Sequence, residues 1–131
     1  MVSKLGLEEV VELVPETDRP QDAFARFDMF AMTSWEESAS LVVLEAMEMA
    51  IPVICFAPTG GPAEEVDGAG IVVPSMSPHL LADAIVDLAA SPARREAIGR
   101  ACRERAAAAY SRERSLETLA GALGSVIANR Q

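Results

Sequence analysis

Apolar residues along this chain fall into two kinds of segment: short solid runs, and longer stretches with helical spacing. VVELV (10–14), MFAMTS (29–34), PVICF (52–56) and GIVVP (70–74) are short, apolar and bounded by Pro, Gly or polar residues, which predicts strands. Helical stretches lie between and after them: DAFARF (22–27), LVVLEAMEMA (41–50), HLLADAIVDLAA (79–90), PARREAIGRACRERAAAAY (92–110) and RERSLETLAGALGSVIANR (112–130). Ser77 and Pro78 form the N-cap and first-position pair expected to start the third of these. In the last, Leu116, Leu119, Leu123 and Ile127 share one side. This strand-helix alternation predicts an α/β fold with a Rossmann-like open parallel sheet of about four strands flanked by helices. The whole of 1–131 reads as one domain, with closing helices over about 92–131.

Within that pattern the run ESASLVVLEAMEMAIPVICFAPTGGPAEEV concentrates the candidate chemistry. Glu37 sits where the strand MFAMTS turns into the helix LVVLEAMEMA, the edge at which open α/β sheets bind ligands. The first backbone amides of that helix, near Ser38 to Leu41, carry the positive end of its dipole and suit a diphosphate. Glu45 lies about one turn further in, at ~1.5 Å per residue. On a helical wheel it shares a side with Leu41, Leu44 and Glu48, while Val42, Val43, Ala46, Met47, Met49 and Ala50 make the broader apolar face. Periodicity alone therefore reads Glu45 and Glu48 as a solvated stripe. Gly60 and Gly61 follow the buried run PVICF, where glycine permits positive φ and close backbone approach. Pro62 suits a first helical position, and Glu64 and Glu65 in the first turn favour the dipole.

Taken together, Ser34, Glu37, Leu41, Leu44, Glu45, Ala46, Met47, Pro52 and Val53, then Gly60, Gly61 and Glu64, resemble the donor-binding half of GT-B glycosyltransferases, in the large retaining group 1 (family four) branch that builds polysaccharides and glycolipids. The resemblance covers nearly the whole chain but only the later part of the C-terminal donor-binding domain. It implies that Glu37 faces the donor hexose as the catalytic-site acid and that Glu45 accepts hydrogen bonds from the ribose hydroxyls. Ser38, Ser40, Leu41, Gly60 and Gly61 complete the implied donor-binding set. Glu48 keeps its solvated reading. The resemblance implies a nucleoside diphosphate sugar as the donor substrate, bound without metal or cofactor.

Departures from the family pattern are local. Ser38, Ala39 and Ser40 replace the usual Gly-Phe-Gly, and Ala50 replaces a glycine in the helix-to-strand loop. The acceptor domain, the first two donor-domain strands and the basic pair that neutralises the diphosphate find no match; Lys4, Arg19 and Arg26 stand outside any matching motif. The chain alone is therefore expected to be a poor catalyst, since charge stabilisation of the departing nucleotide is missing. An incomplete sheet also leaves an open parallel edge. VVELV is expected to fill the slot beside MFAMTS, unless a missing N-terminal domain or a second copy covers that edge. A noncatalytic remnant acting as an association module is the alternative reading. A phosphate-receiver domain is weaker, because its paired acids after the first strand are absent.

Composition narrows the partners. Twenty acids against eleven bases give a net charge of −9; residues 1–93 hold sixteen acids and three bases (net −13), and residues 94–131 four acids and eight bases (net +4). So acidic a body disfavours nucleic acid. Arg94, Arg95, Arg100, Arg103, Arg105, Arg112 and Arg114 form a basic run that can make weak contact with an anionic membrane surface, or simply pair with Glu96, Glu104 and Glu113. No apolar stretch reaches the about 20 residues of a spanning helix, and the chain opens on no leader-like segment, so a cytoplasmic location is expected. Cys55 and Cys102 lack metal spacing and read as packing residues. Trp35 is placed either to stack on a base or sugar or to anchor its loop. His79, the only histidine, reads as a helix-start residue.

Overall fold

The computed structural model describes residues 1–128. Its centre is a parallel sheet in the order β1-β2-β3, formed by β1 (Phe30–Met32), β2 (Val53–Phe56) and β3 (Ile71–Val73). Phe30 pairs with Val53, and Ile54 with Ile71. All four β2 residues are buried, as a middle strand covered on both faces requires. Alternate β2 side chains serve different cores. Val53 and Cys55 join Met32 with Val43, Ala46 and Met47 of α2 (Leu41–Glu48), Val66 of α3 (Gly61–Val66), and Cys102 and Ala106 of α5 (Pro92–Ala109). Ile54 and Phe56 face the other way, against Val73 and Leu88 of α4 (Pro78–Ala89).

Helix boundaries follow local chemistry. Ser77 Oγ accepts the Leu80 N–H at the start of α4, and Ser91 Oγ accepts the Arg94 N–H at the start of α5, each followed by a proline at the first position. Arg95 then donates to the Leu88 and Ala89 carbonyls, closing the carboxyl end of α4. Between α2 and β2 the chain turns through Ala50 at φ +58°, a left-handed conformation unusual for a residue with a β-carbon. α5 crosses this turn so closely that a β-carbon on Gly99 would lie 2.1 Å from the Ala50 carbonyl oxygen.

Three expectations need correction. VVELV is not a strand: Val10 and Val11 donate to the Leu7 carbonyl in a local turn, and Val10, Leu13 and Val14 are exposed. The sheet has three strands rather than about four, and among the described residues no segment pairs with the outer edge of β1. An apolar run of this kind becomes a strand only when a sheet edge meets it, and among the described residues none does. The basic run is not a uniform ion-paired stripe either. Arg100 pairs with Glu96, but Arg95 and Arg105 bind backbone carbonyls within the fold, Arg105 pairing also with Asp67 on the α3 side, and among the described residues no ion pair involves Glu104 or Glu113.

The short helix predicted over 22–27 is α1 (Pro20–Phe24), whose Phe24 packs edge-on against Phe27 and Phe30. α6 (Arg112–Ala128) matches the last helical stretch, of which 129–130 lie outside the described residues. It buries no residue, and Leu116, Leu119, Leu123 and Ile127 are all more than half exposed. No described helix is long and apolar enough to cross a membrane.

Candidate functional site

Because the three strands run parallel, their carboxyl ends and the loops that leave them share one edge. The loop after β1 and the turn after β2 are joined there. Glu37 N–H donates to the Thr59 carbonyl at 3.0 Å, and Gly61 N–H donates to the Glu37 carbonyl at 2.8 Å, forming a parallel bridge between Glu37 and Gly60. Thr59 is fixed in turn, its hydroxyl donating to the Phe56 carbonyl at 2.7 Å.

This contact explains the double glycine. Gly60 sits at φ +90°, ψ −114°, outside the range open to other residues. Gly61 needs its hydrogen for space: a β-carbon would lie 2.4 Å from the Ser38 carbonyl oxygen and 2.9 Å from the Ala39 nitrogen. The backbone that approaches these glycines so closely is that of the chain's own 37–39 loop.

α2 begins directly after the bridge. Val43 and Leu44 both donate to the Ser40 carbonyl, leaving the Leu41 and Val42 N–H groups in a first turn that has no intrahelical acceptor for them. Ser38 and Ala39 are exposed, Leu41 is 78% exposed, and Glu37 and Glu45 are both half-buried. Glu45 lies four residues into the helix, ~6 Å along the axis from Leu41. Val43, Ala46 and Met47 are buried on the core side, and Glu48 is exposed as periodicity predicts. Ser40 differs from its neighbours, for its hydroxyl is buried and without a partner.

Below the bridge lies a residue that sequence reasoning missed as a site element. Glu65 on α3 is 4% exposed, and its Oε1 accepts the Ser40 N–H at 2.6 Å. Its second oxygen, Oε2, is buried and unpaired. Burial raises the Glu65 pKa above its ordinary value, the Ser40 hydrogen bond opposes the rise, and nearby Glu37 and Glu64 add to it. No sequence signal singled it out; it is the structure that puts Glu65 with Gly61, Pro62 and Val66 on the buried side of a short helix. Glu64, beside it, is exposed.

The rest of the edge is apolar and acidic. No Lys or Arg occurs between residues 27 and 93. Trp35, 82% exposed, anchors nothing and instead rims a groove of about 230 Å³ with Thr33, Phe56, Met76, Pro78 and Leu81. Among the described residues no three His, Cys, Asp or Glu side chains cluster as metal ligands would. Both cysteines are buried and free. Cys55 is pushed up to about 11 by burial first and by Glu65 second, and burial also raises Cys102 against the lowering effect of a hydrogen bond with the Val53 backbone.

The architecture is that of an open parallel α/β domain with its loops and one helix amino terminus gathered at the carboxyl edge. Residues 1–91 match the family described as "Glycosyl transferases group 1". A D-inositol 3-phosphate glycosyltransferase of Kineococcus radiotolerans is 35% identical over 117 residues, covering 81% of this chain and 27% of that protein. Among solved structures, Anabaena HepE in complex with UDP-glucose superposes with a TM-score of 0.80 at 26% identity, covering 95% of this chain and 35% of that one. The C-terminal domain of a group 1 glycosyl transferase from Francisella tularensis gives a TM-score of 0.71 at 22% identity, covering 85% and 59% of the two chains, a likeness of fold. The chain belongs to the group 1 glycosyltransferases and matches part of the C-terminal domain of the GT-B fold. It spans about a quarter of the length of the curated relatives it matches.

Proposed function

We propose that this chain is the donor-binding portion of a retaining hexosyltransferase. It would move a hexose from a nucleoside diphosphate to a sugar or lipid acceptor in polysaccharide or glycolipid synthesis. The observation that carries this reading is the Glu37–Gly60 bridge, which fixes the Glu37 loop and the first turn of α2 at the carboxyl edge. In this reading the Leu41 and Val42 N–H groups receive the diphosphate, Glu37 orients the hexose, and Glu45, one turn along, accepts from the ribose hydroxyls. Gly60 and Gly61 hold the loop in place, and Ser38 offers its exposed hydroxyl. Ser40 contributes through its backbone, since its hydroxyl is buried. The UDP-glucose complex of HepE supports a nucleotide-sugar donor. No Lys or Arg occurs from residue 27 to 93, so the loops and helix head of this site offer the phosphates backbone dipoles and hydroxyls, and we infer that efficient transfer draws on cationic groups from outside this segment.

Calorimetric titration of UDP-glucose into the chain and its Glu45→Ala variant tests the reading. Removing one charged acceptor is worth about 1.5–3 kcal/mol, so the variant should bind on the order of 10- to 100-fold more weakly with an unchanged circular dichroism spectrum. Equal affinity in the two proteins, or no binding by either, refutes it.

The noncatalytic association module has its own support in the unpaired β1 edge and the bare apolar side of α6. Light scattering on the eluting chain tests it. A monomer at high concentration that also binds UDP-glucose removes this alternative.

A further inference from the structure

The Glu65 side chain does one thing for the fold, accepting the buried Ser40 N–H, and it leaves its other oxygen orphaned. A buried carboxyl with a single hydrogen bond and one orphaned oxygen is a poor source of stability compared with a packed side chain of similar size. Among the described residues no cation pairs with it: Arg105 approaches α3 but donates to the Glu64 and Glu65 main-chain carbonyls and pairs with Asp67. What the Glu65 side chain does reach is specific. It crosses from α3 to the N-cap residue of α2, twenty-five positions earlier, and takes that residue's N–H from the interior side.

We propose that Glu65 is a positioning residue for the donor site, holding Ser40 and thereby the first turn of α2 and the 37–40 loop where a nucleoside diphosphate is received. This inference rests on the donor-site reading above. The arrangement divides the amides at the head of α2: Ser40 N–H is spent inward on Glu65, and Leu41 and Val42 N–H are left for a ligand. Val43 and Leu44 already share the Ser40 carbonyl, so a shift of Ser40 moves the whole turn.

Charge gives the same residue a second effect. A protonated Glu65 keeps Oε1 as acceptor for Ser40 and adds a donor at Oε2, in a place where that oxygen and the Ser40 hydroxyl are otherwise unpaired. An ionised Glu65 sets a negative charge beneath the diphosphate. The charged groups that act on its titration are the Glu37 and Glu64 carboxylates; Glu65 in turn raises Cys55 on β2, and Arg105 reaches its main-chain carbonyl. Donor affinity therefore falls as pH rises through the Glu65 pKa.

Two measurements on the isotope-labelled chain test this, with UDP-glucose as the probe because its diphosphate diester does not titrate near neutrality. In the wild type the Ser40 amide proton resonance should follow pH with an inflection above the ordinary carboxylate value, and in Glu65→Gln it should not. Glu65→Gln, which keeps the acceptor, should bind UDP-glucose within about threefold of wild type at low pH and lose the fall at higher pH. At low pH Glu65→Leu should bind about tenfold more weakly while retaining the native spectrum, the equivalent of leaving one buried donor, the Ser40 N–H, without its acceptor. A Ser40 amide indifferent to pH in the wild type overturns the proposal even if Glu65→Leu fails to fold. So does a folded Glu65→Leu that binds like wild type, which leaves the donor site standing. A wild type that does not bind UDP-glucose sinks the donor reading itself, and this role with it.

Discussion

Substituting Gly61 by alanine tests the contact on which the site is built. The new methyl carbon would lie 2.4 Å from the Ser38 carbonyl oxygen, 2.6 Å from the Ser38 carbonyl carbon and 2.9 Å from the Ala39 nitrogen, all backbone atoms. No rotamer change relieves such a clash, so the 37–39 loop and the 59–61 turn must move apart. Overpacking of this kind costs about 1–3 kcal/mol. Separation also strains the 2.8 Å bond from Gly61 to Glu37 and the 3.0 Å bond from Glu37 to Thr59, each worth about 0.5–1.5 kcal/mol net. The expected loss is about 2–6 kcal/mol, a large part of the about 5–15 kcal/mol available to a domain. Urea unfolding followed by far-ultraviolet circular dichroism should show the midpoint falling by about 1–2 M at unchanged slope. Gly121→Ala is the control: nothing lies within 4 Å of its β-carbon position on α6, and alanine favours a helix interior by about 0.5–1 kcal/mol. A Gly61→Ala variant within about 0.5 kcal/mol of wild type, a margin typical of neutral surface changes, would show that the two loops are not in contact as described.

Three further outcomes follow from particular residues. Ala50→Gly should raise the melting temperature by about 2–5 °C, because relief of a left-handed alanine at φ +58° outweighs the added freedom of the unfolded chain; a lower melting temperature would contradict the conformation. The raised Glu65 pKa means that the folded state holds a proton the unfolded state releases, so wild-type stability falls as pH rises from the ordinary value of 4.5 through the folded value. Urea midpoints for Glu65→Gln should show no such fall, and parallel pH profiles for the two proteins would rule the linkage out. Cys55, at about 11, and Cys102, also raised, should resist a disulfide reagent at pH 8 in the native chain and both react in denaturant; rapid native labelling of either would refute their burial.

Site elements that are neighbours along the chain are legible in the order of residues itself. Glu37, Ser38, Ser40, Leu41 and Glu45 fall on one strand-to-helix junction, and the double glycine marks a second turn near it. Glu65 is not legible in the same way. An acid in the first turn of a helix reads as a dipole partner in solvent, and its inward aim depends on how α3 is rotated against α2. Trp35 likewise has two readings in sequence, and its exposure at the rim of a groove excludes the anchoring one.

What the sequence determined by itself was local: the apolar runs of β1, β2 and β3, the buried stripe of α2, and the Ser77–Pro78 start of α4. These rest on hydrogen bonds and side-chain spacing within a few residues, which the order of residues states directly. The tertiary structure decided what depends on partners far along the chain. VVELV has strand composition but meets no sheet edge, α6 has an apolar stripe but meets no core, and Glu65 meets Ser40 across twenty-five residues. Burial and pairing are properties of a surface and its neighbour together, and a sequence states only one side of each such contact.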